Sequence, residues 1–365
     1  RRPDDSDTDN VYTRAARHFC DWLAQGILAQ DPEPALFPYF QEFTHPDTGA
    51  RLTRKGFIGL GPVEDYSAGV VYRHEQTLSG PKKDRLELLR HTRAHFGQIF
   101  MLYSDPDGAV ERLLETATAG APLTEVTDEY AAVHRVWRLA EPPAIAGIQQ
   151  LMAPKKLLIA DGHHRYETAL AFRNENPGLE AAQRVMMTFV NMHSPGLKIL
   201  ATHRVLSGLS TASGERLLRE VSSRFRLDTV NSAAALRELW KAPAPGRIRI
   251  GIAVHGSEKI HVLGAERAQG QLDVTFLHEV LLGQMLGIGE EDVREQKFLR
   301  YVRGLEAAAG EVRSGAAVIA FLLEPATVEQ VAGVSFSGGV MPQKSTDFYP
   351  KLLSGLTIYR LETSA

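Results

Sequence analysis

The chain has 365 residues, 44% of them hydrophobic and 23% charged, which suits a globular protein of two or three structural units. A formal net charge of −3 leaves no basic surplus for non-specific nucleic-acid binding. The single cysteine, Cys20, excludes an intrachain disulfide and a cysteine-rich metal site, and no run of eighteen apolar residues reads as a membrane span. Cysteine usage and the absence of a visible signal peptide lead us to expect a cytoplasmic protein. The sequence opens on Arg1 without Met, which is compatible with removal of an upstream piece.

Residues 1–10 are polar and acidic and are expected to be flexible. Ala15, Phe19, Trp22 and Leu23 recur at helical spacing and predict a helix over 11–28. Strands are expected at 36–43, 56–61 and 68–72, then a helix at 84–94 and a strand at 98–103 ending in the turn 104–108. A strand at 133–139, a helix at 144–152 and a strand at 157–160 follow. The next helix starts near Arg165 and stops at Asn176-Pro177-Gly178. Residues 185–193 and 197–206 read as a hairpin around Ser194-Pro195-Gly196. The Pro/Gly-rich stretch 241–246 is the best linker candidate. Beyond it lie expected strands at 247–254, 259–263 and 317–323, and helices at 274–286 and 326–332. Interleaved helices and strands predict an α/β protein with mixed sheets. The expected division is a tail and helix (1–30), an α/β core (31–240) and a C-terminal α/β unit (247–365).

Three stretches carry candidate chemistry. In "KKLLIADGHHRYETAL", 155–170, the residues Asp161, Gly162, His163, His164 and Arg165 lie between an apolar strand and a helix. Backbone N–H groups and the positive helix end favour anions there, phosphate above all. The plainer alternative makes Asp161 a helix N-cap, Gly162 a turn and the histidines solvated. A polar cluster at the carboxyl end of a strand favours a site. In "YRHEQTLSGPKKDRLELLR", 72–90, His74-Glu75 follows a strand and Lys82-Lys83-Asp84-Arg85 opens a helix. A carboxylate beside an imidazole suits a general base or an Mg2+ site completed by water, and a merely exposed strand end stands equally beside it. In "GGVMPQKSTDFYPKLLSGL", 338–356, Lys344, Ser345, Thr346 and Lys351 suggest a phosphate-contacting loop. It is not a P-loop, because Gln343 stands where that motif needs glycine, and Pro342 and Pro350 break the strand–loop–helix context. No zincin helix, dinucleotide fingerprint or G-x-S-x-G elbow is present.

Together "HEQT" with "DRLELL" at 74–89, "ADGHHRYETA" at 160–169 and "MPQKSTDFYPKLLSGL" at 341–356 resemble the DUF1015 family. "LDVTFLH" at 272–278 and "AFLLEP" at 320–325 extend that resemblance across most of the chain. "DGHHR" before a helix also resembles the signature of ParB/sulfiredoxin-like nucleotide-binding domains, which include free-serine kinases. That local resemblance implies a ParB-like nucleotide-binding core in which Gly162 and Arg165 hold nucleotide phosphates. With Glu75 as base and Asp161 holding Mg2+, the activity implied is phosphoryl transfer from ATP or ADP to a small hydroxylated metabolite. His74, His163 and His164 are further catalytic candidates, and Thr77, Arg85, Lys344, Ser345, Thr346 and Lys351 further phosphate or nucleotide contacts. Glu75, 161–165 and 344–346 are expected to line one cleft. A non-catalytic nucleotide-binding regulator is the alternative, and a metal-dependent hydrolase on Asp161, His163 and His164 the weakest reading, because adjacent histidines diverge.

Overall fold

Ile99–Tyr103 and Leu157–Asp161 are almost unbroken apolar runs, as in strands covered on both faces, and both lie inside one eight-stranded sheet. In the computed structural model, residues 2–75, 79–342 and 344–361 are described, without the side chains of 79–81. They fall into two units. One comprises the residues up to His45, Ala50–Lys198 and the residues from Pro350 on; the other comprises Pro46–Gly49 and Ile199–Tyr349.

The eight strands of the first unit run, in spatial order, Val71–Tyr72, Leu157–Asp161, Ile99–Tyr103, Arg184–Asn191, Arg51–Pro62, Phe37–Thr44, Val133–Val136 and Thr124–Thr127. The sheet is mixed as expected. Val71–Tyr72 is parallel to Leu157–Asp161 and Ile99–Tyr103 is parallel to Arg184–Asn191, whereas the other pairs are antiparallel. On one face Phe57, Met101, Ile159, Met187 and Phe189 pack with Val110, Leu114, Ile148 and Tyr166, which come from the helices Ala109–Ala117, Pro142–Met152 and His163–Glu175. The other face, with Tyr39, Ile58, Val136 and Met186, is covered by Leu352, Leu356 and Tyr359.

That covering segment is tied down by buried polar groups. Arg54 Nη2 donates to the Pro350 carbonyl (2.6 Å), Gln41 Nε2 to the Lys351 carbonyl (3.0 Å), and the Leu353 N–H to the Tyr39 hydroxyl (3.2 Å). Tyr39 in turn meets His134 Nδ1 at 2.6 Å, and His134 Nε2 meets Asp128 at 3.1 Å.

The second unit is built on a six-stranded antiparallel sheet in the order Arg226–Val230, Ile260–Glu266, Arg247–Val254, Ile319–Leu322, Thr202–Leu206 and Leu299–Arg303. Its core includes Val205, Leu236, Val262, Leu305, Val312 and Leu322. Among the described residues no helix is long and apolar enough to cross a membrane.

Several expectations need correction. The stretch 241–246 is not a linker: it joins the helix Ala233–Lys241 to the strand Arg247–Val254 inside the second unit, with Gly246 at φ 70°. Tight turns and linkers share the same Pro/Gly composition, so composition alone does not separate them. The expected hairpin around 194–196 is absent too. Arg184–Asn191 pairs in the eight-stranded sheet and Thr202–Leu206 in the six-stranded one. Gly196 sits so close to the Thr53 carbonyl that a Cβ would lie 2.0 Å from it, which pins the turn to a neighbouring strand. The helix expected at 274–286 begins as one α-turn, Asp273–Phe276, and continues with π-type winding over Leu277–Met285. Apolar spacing cannot distinguish the two windings over so short a span.

Candidate functional site

The strand Leu157–Asp161 ends in Asp161, which pairs with Phe100, and the helix His163–Glu175 begins two residues later. Gly162 makes the turn at φ 97°, a left-handed conformation that glycine adopts without steric cost. The Tyr166 N–H donates to the Gly162 carbonyl (2.9 Å), and the N-cap is Gly162, which has no side chain to cap the helix with. Asp161 therefore is not the N-cap. Its carboxylate belongs to the strand end and meets Arg165 Nη2 at 3.5 Å.

Arg165 folds back over the turn. A Cβ on Gly162 would lie 3.0 Å from Arg165 Nε, and one on Gly97 would lie 2.9 Å from Arg165 Nη1. The guanidinium thus occupies the space that two glycines leave, beside Ser354 near Gly97. Burial lowers the Arg165 pKa and the nearby Arg85 adds to this, while Asp161 opposes it. A cation held at the start of a helix is chemically suited to an anion.

Beneath the turn lie His74 and His163, both buried. The His74 backbone N–H donates to His163 Nε2 (3.4 Å), so that ring nitrogen is unprotonated. His74 Nδ1 lies 2.8 Å from the Ile159 carbonyl, which only accepts, so the proton sits on Nδ1. Burial holds the His74 pKa down to about 4 and that of His163 well below its ordinary value. Asp161 favours the charged form of His74, and Lys351 disfavours it. Both histidines are therefore neutral at neutral pH. His164 is half-buried, and its carbonyl accepts from Thr168 Oγ1 at 2.7 Å.

Glu75, half-buried, is the residue after His74. Thr77 lies outside the described residues. Arg85 is exposed and is felt electrostatically by Arg165. Lys351 is exposed and belongs to the same unit, through the covering segment. Lys344, Ser345 and Thr346 belong to the second unit, where Arg204 Nη2 donates to the Lys344 carbonyl (3.3 Å) and Ser345 Oγ to the Pro342 carbonyl (2.5 Å).

Two features escaped the sequence reading. Glu167, one turn after His163, is buried and receives Arg73 Nη1 (3.4 Å) and Lys82 Nζ (3.3 Å). The helix Ser79–Thr92 is thereby tied to the helix that begins at the turn. Arg54 is the other: it is fully buried, its guanidinium lies 4.6 Å from the Phe100 ring centroid, and it senses the Asp161 carboxylate. The signal was an arginine at an inward position of a strand, in register with Gly56 and Ile58. Among the described residues no three His, Cys, Asp or Glu side chains are grouped to hold a metal ion.

The family description "Protein of unknown function (DUF1015)" matches residues 1–275. None of the curated proteins matches the chain. Among solved structures the fold is similar to a free serine kinase in complex with AMP, at 15% identity and TM-score 0.43, over 80% of this chain and 86% of the other. It is similar to a conserved hypothetical protein from Pyrococcus furiosus at 15% identity and TM-score 0.42, over 83% and 95% of the two chains. A third similar structure is C-terminally truncated SbnI from Staphylococcus aureus, at 11% identity and TM-score 0.39, over 81% and 85%.

Proposed function

The chain belongs to the DUF1015 family, and we propose that it is a nucleotide-dependent phosphotransferase acting on a small hydroxylated metabolite. The observation that carries this reading is the turn at Gly162, with the Arg165 guanidinium folded over the helix start at the end of a buried strand. Phosphoryl transfer asks mainly for positioned phosphates and neutralised charge, with little covalent chemistry from the protein. Backbone N–H groups of residues 163–165 and Arg165 hold the phosphates of ATP or ADP. Arg85 and Lys351 add positive charge on the same unit.

Glu75 acts as the base that accepts the acceptor's hydroxyl proton. Its neighbour His74, neutral and anchored on Ile159, fixes the backbone from which it projects. His163 and His164 position the turn. Asp161 fits an Mg2+ ion, because one carboxylate is a usual protein share for magnesium, the rest of its shell being water and phosphate oxygens. Held there with the nucleotide, such an ion would neutralise phosphate charge.

The test is a thermal-shift panel with ATP, ADP and CTP, each with and without Mg2+, followed by an acceptor screen for phosphoryl transfer. Any ligand bound only by the native state raises stability by mass action. Stabilisation by nucleotide with transfer to a hydroxylated acceptor supports the proposal. Nucleotide binding with no transfer to any acceptor makes the chain a regulatory module instead.

A further inference from the structure

Four buried polar atoms on one patch of the first unit's sheet have no hydrogen-bond partner among the described residues. They are Arg54 Nη1, both side-chain atoms of Gln98, and Thr188 Oγ1. All three residues are at most 1% exposed. The register puts them together. Thr188 pairs with Ile58 on one side and Phe100 on the other. Arg54 lies four residues before Ile58, on the same face, with side-chain-free Gly56 between them. Gln98 lies two residues before Phe100, and the Phe100 ring carries the Arg54 guanidinium at 4.6 Å. Phe100 pairs in turn with Asp161, whose side chain is 42% exposed at the strand end.

Buried polar atoms are nearly always paired, so such a cluster on one patch calls for an explanation. The groups are mostly donors: the Arg54 Nη1 hydrogens, the Gln98 amide hydrogens and the Thr188 hydroxyl. Arg165 at the strand end is matched by Asp161, so Arg54 is left to match a single negative charge in the patch. A phosphate dianion would leave excess negative charge in the interior. Resting on the phosphotransferase reading, we propose that this patch takes the carboxylate of the acceptor. The ligand class is then a small carboxylate whose hydroxyl or ammonium group reaches Asp161 at the rim. Arg54 pairs with the carboxylate, and Gln98 and Thr188 complete its hydrogen bonds.

The experiment uses the full chain, calorimetry and thermal shift, with D-glycerate and L-serine as probes and with glycerol and inorganic phosphate as comparisons. The variants are Thr188→Val and Gln98→Leu, alone and together. Both remove unpartnered polar atoms at similar volume, so the unliganded protein should melt no lower than wild type. Carboxylate affinity should fall about tenfold or more in each, the scale of one lost hydrogen bond to a charged group. Glycerol and phosphate should not bind at this patch. The proposal is overturned if neither carboxylate stabilises wild type, or if affinity survives in the double variant. A lower melting point of both unliganded variants would also overturn it, because the atoms would then be paired by structural water. ADP binding, measured on the same samples, separates the two proposals. Carboxylate binding without ADP binding sinks the phosphotransferase reading alone, and ADP binding without carboxylate binding sinks this one alone.

Discussion

His74 and His163 meet edge to face, ring centroids 4.6 Å apart and planes at 79°, and the backbone N–H of the first points at Nε2 of the second. One ring follows a short edge strand and the other opens the helix, 89 positions later. Their contact fastens the segment carrying Glu75 to the segment carrying the turn. Both rings are kept neutral by burial, so the fastening depends on pH.

Stability should therefore fall in mild acid. The His74 pKa drops from 6.5 to about 4 on folding, so the unfolded chain takes up the proton first as pH falls. The contribution is full above about pH 6.5, declines between 6.5 and 4, and is gone below. For His74 alone this is on the order of 3 kcal/mol across the window. His95, His203 and His278, also pushed down to about 4 chiefly by burial, add slopes of the same sign. Urea midpoints should hold from pH 7.5 to about 6.5 and decrease from there to pH 4.5. A flat profile would contradict the neutral, buried assignment.

Gly162→Ala should cost about 1–2 kcal/mol, because the left-handed turn is strained for any residue with a Cβ. The new carbon would also press on Arg165 Nε, 3.0 Å away, and displace the guanidinium. Melting temperature and ADP affinity should drop together. An alanine variant with unchanged values for both would remove the close-packed turn from the account.

Arg165→Ala removes the cation over the turn without touching the backbone. Nucleotide affinity should weaken by roughly 10- to 100-fold, the range for a charge-assisted contact. Arg165→Lys should recover part of it, as a point charge lacks the planar fork. Equal affinity in wild type and the alanine variant, with intact circular dichroism, would reduce the turn to a plain helix start.

Glu75→Gln keeps the side-chain shape but removes its charge and proton-accepting power. Transfer to the acceptor should fall on the order of 10²–10⁴-fold with nucleotide affinity about normal. Asp161→Asn should differ, weakening Mg2+-nucleotide binding as well as turnover, since a metal ligand acts before the chemical step. If both variants behave alike in binding and in rate, the two carboxylates do not have separate roles.

Much of the local structure could be read from the residues. The apolar run to Ala160, the polar cluster and the helical spacing after Arg165 located the turn, and strand and helix stand there. Periodicity is a local signal, and those elements are local. What escaped was tertiary. Glu167 looked like one more polar helix residue, and only the arrival of Arg73 and Lys82 from another segment shows what it holds. The discontinuous first unit escaped for the same reason: no feature of 350–356 announces that its carbonyls will meet Arg54 and Gln41, some 300 positions earlier.

That discontinuity has a consequence for synthesis. Tyr39 and Leu353 are joined by a hydrogen bond across 314 positions. A ribosome makes all of 199–349 after the eight strands are complete and before the segment that seals their second face. Until then Tyr39, Arg54 and Gln41 lack the backbone partners that they have in the finished fold, and the apolar side chains around Ile58 lie open to water. The emerging first unit is thus an unfinished intermediate for much of translation, with a long closure still to come. Truncation before Pro350 should therefore harm the first unit more than the second, although the residues removed lie next in sequence to the second.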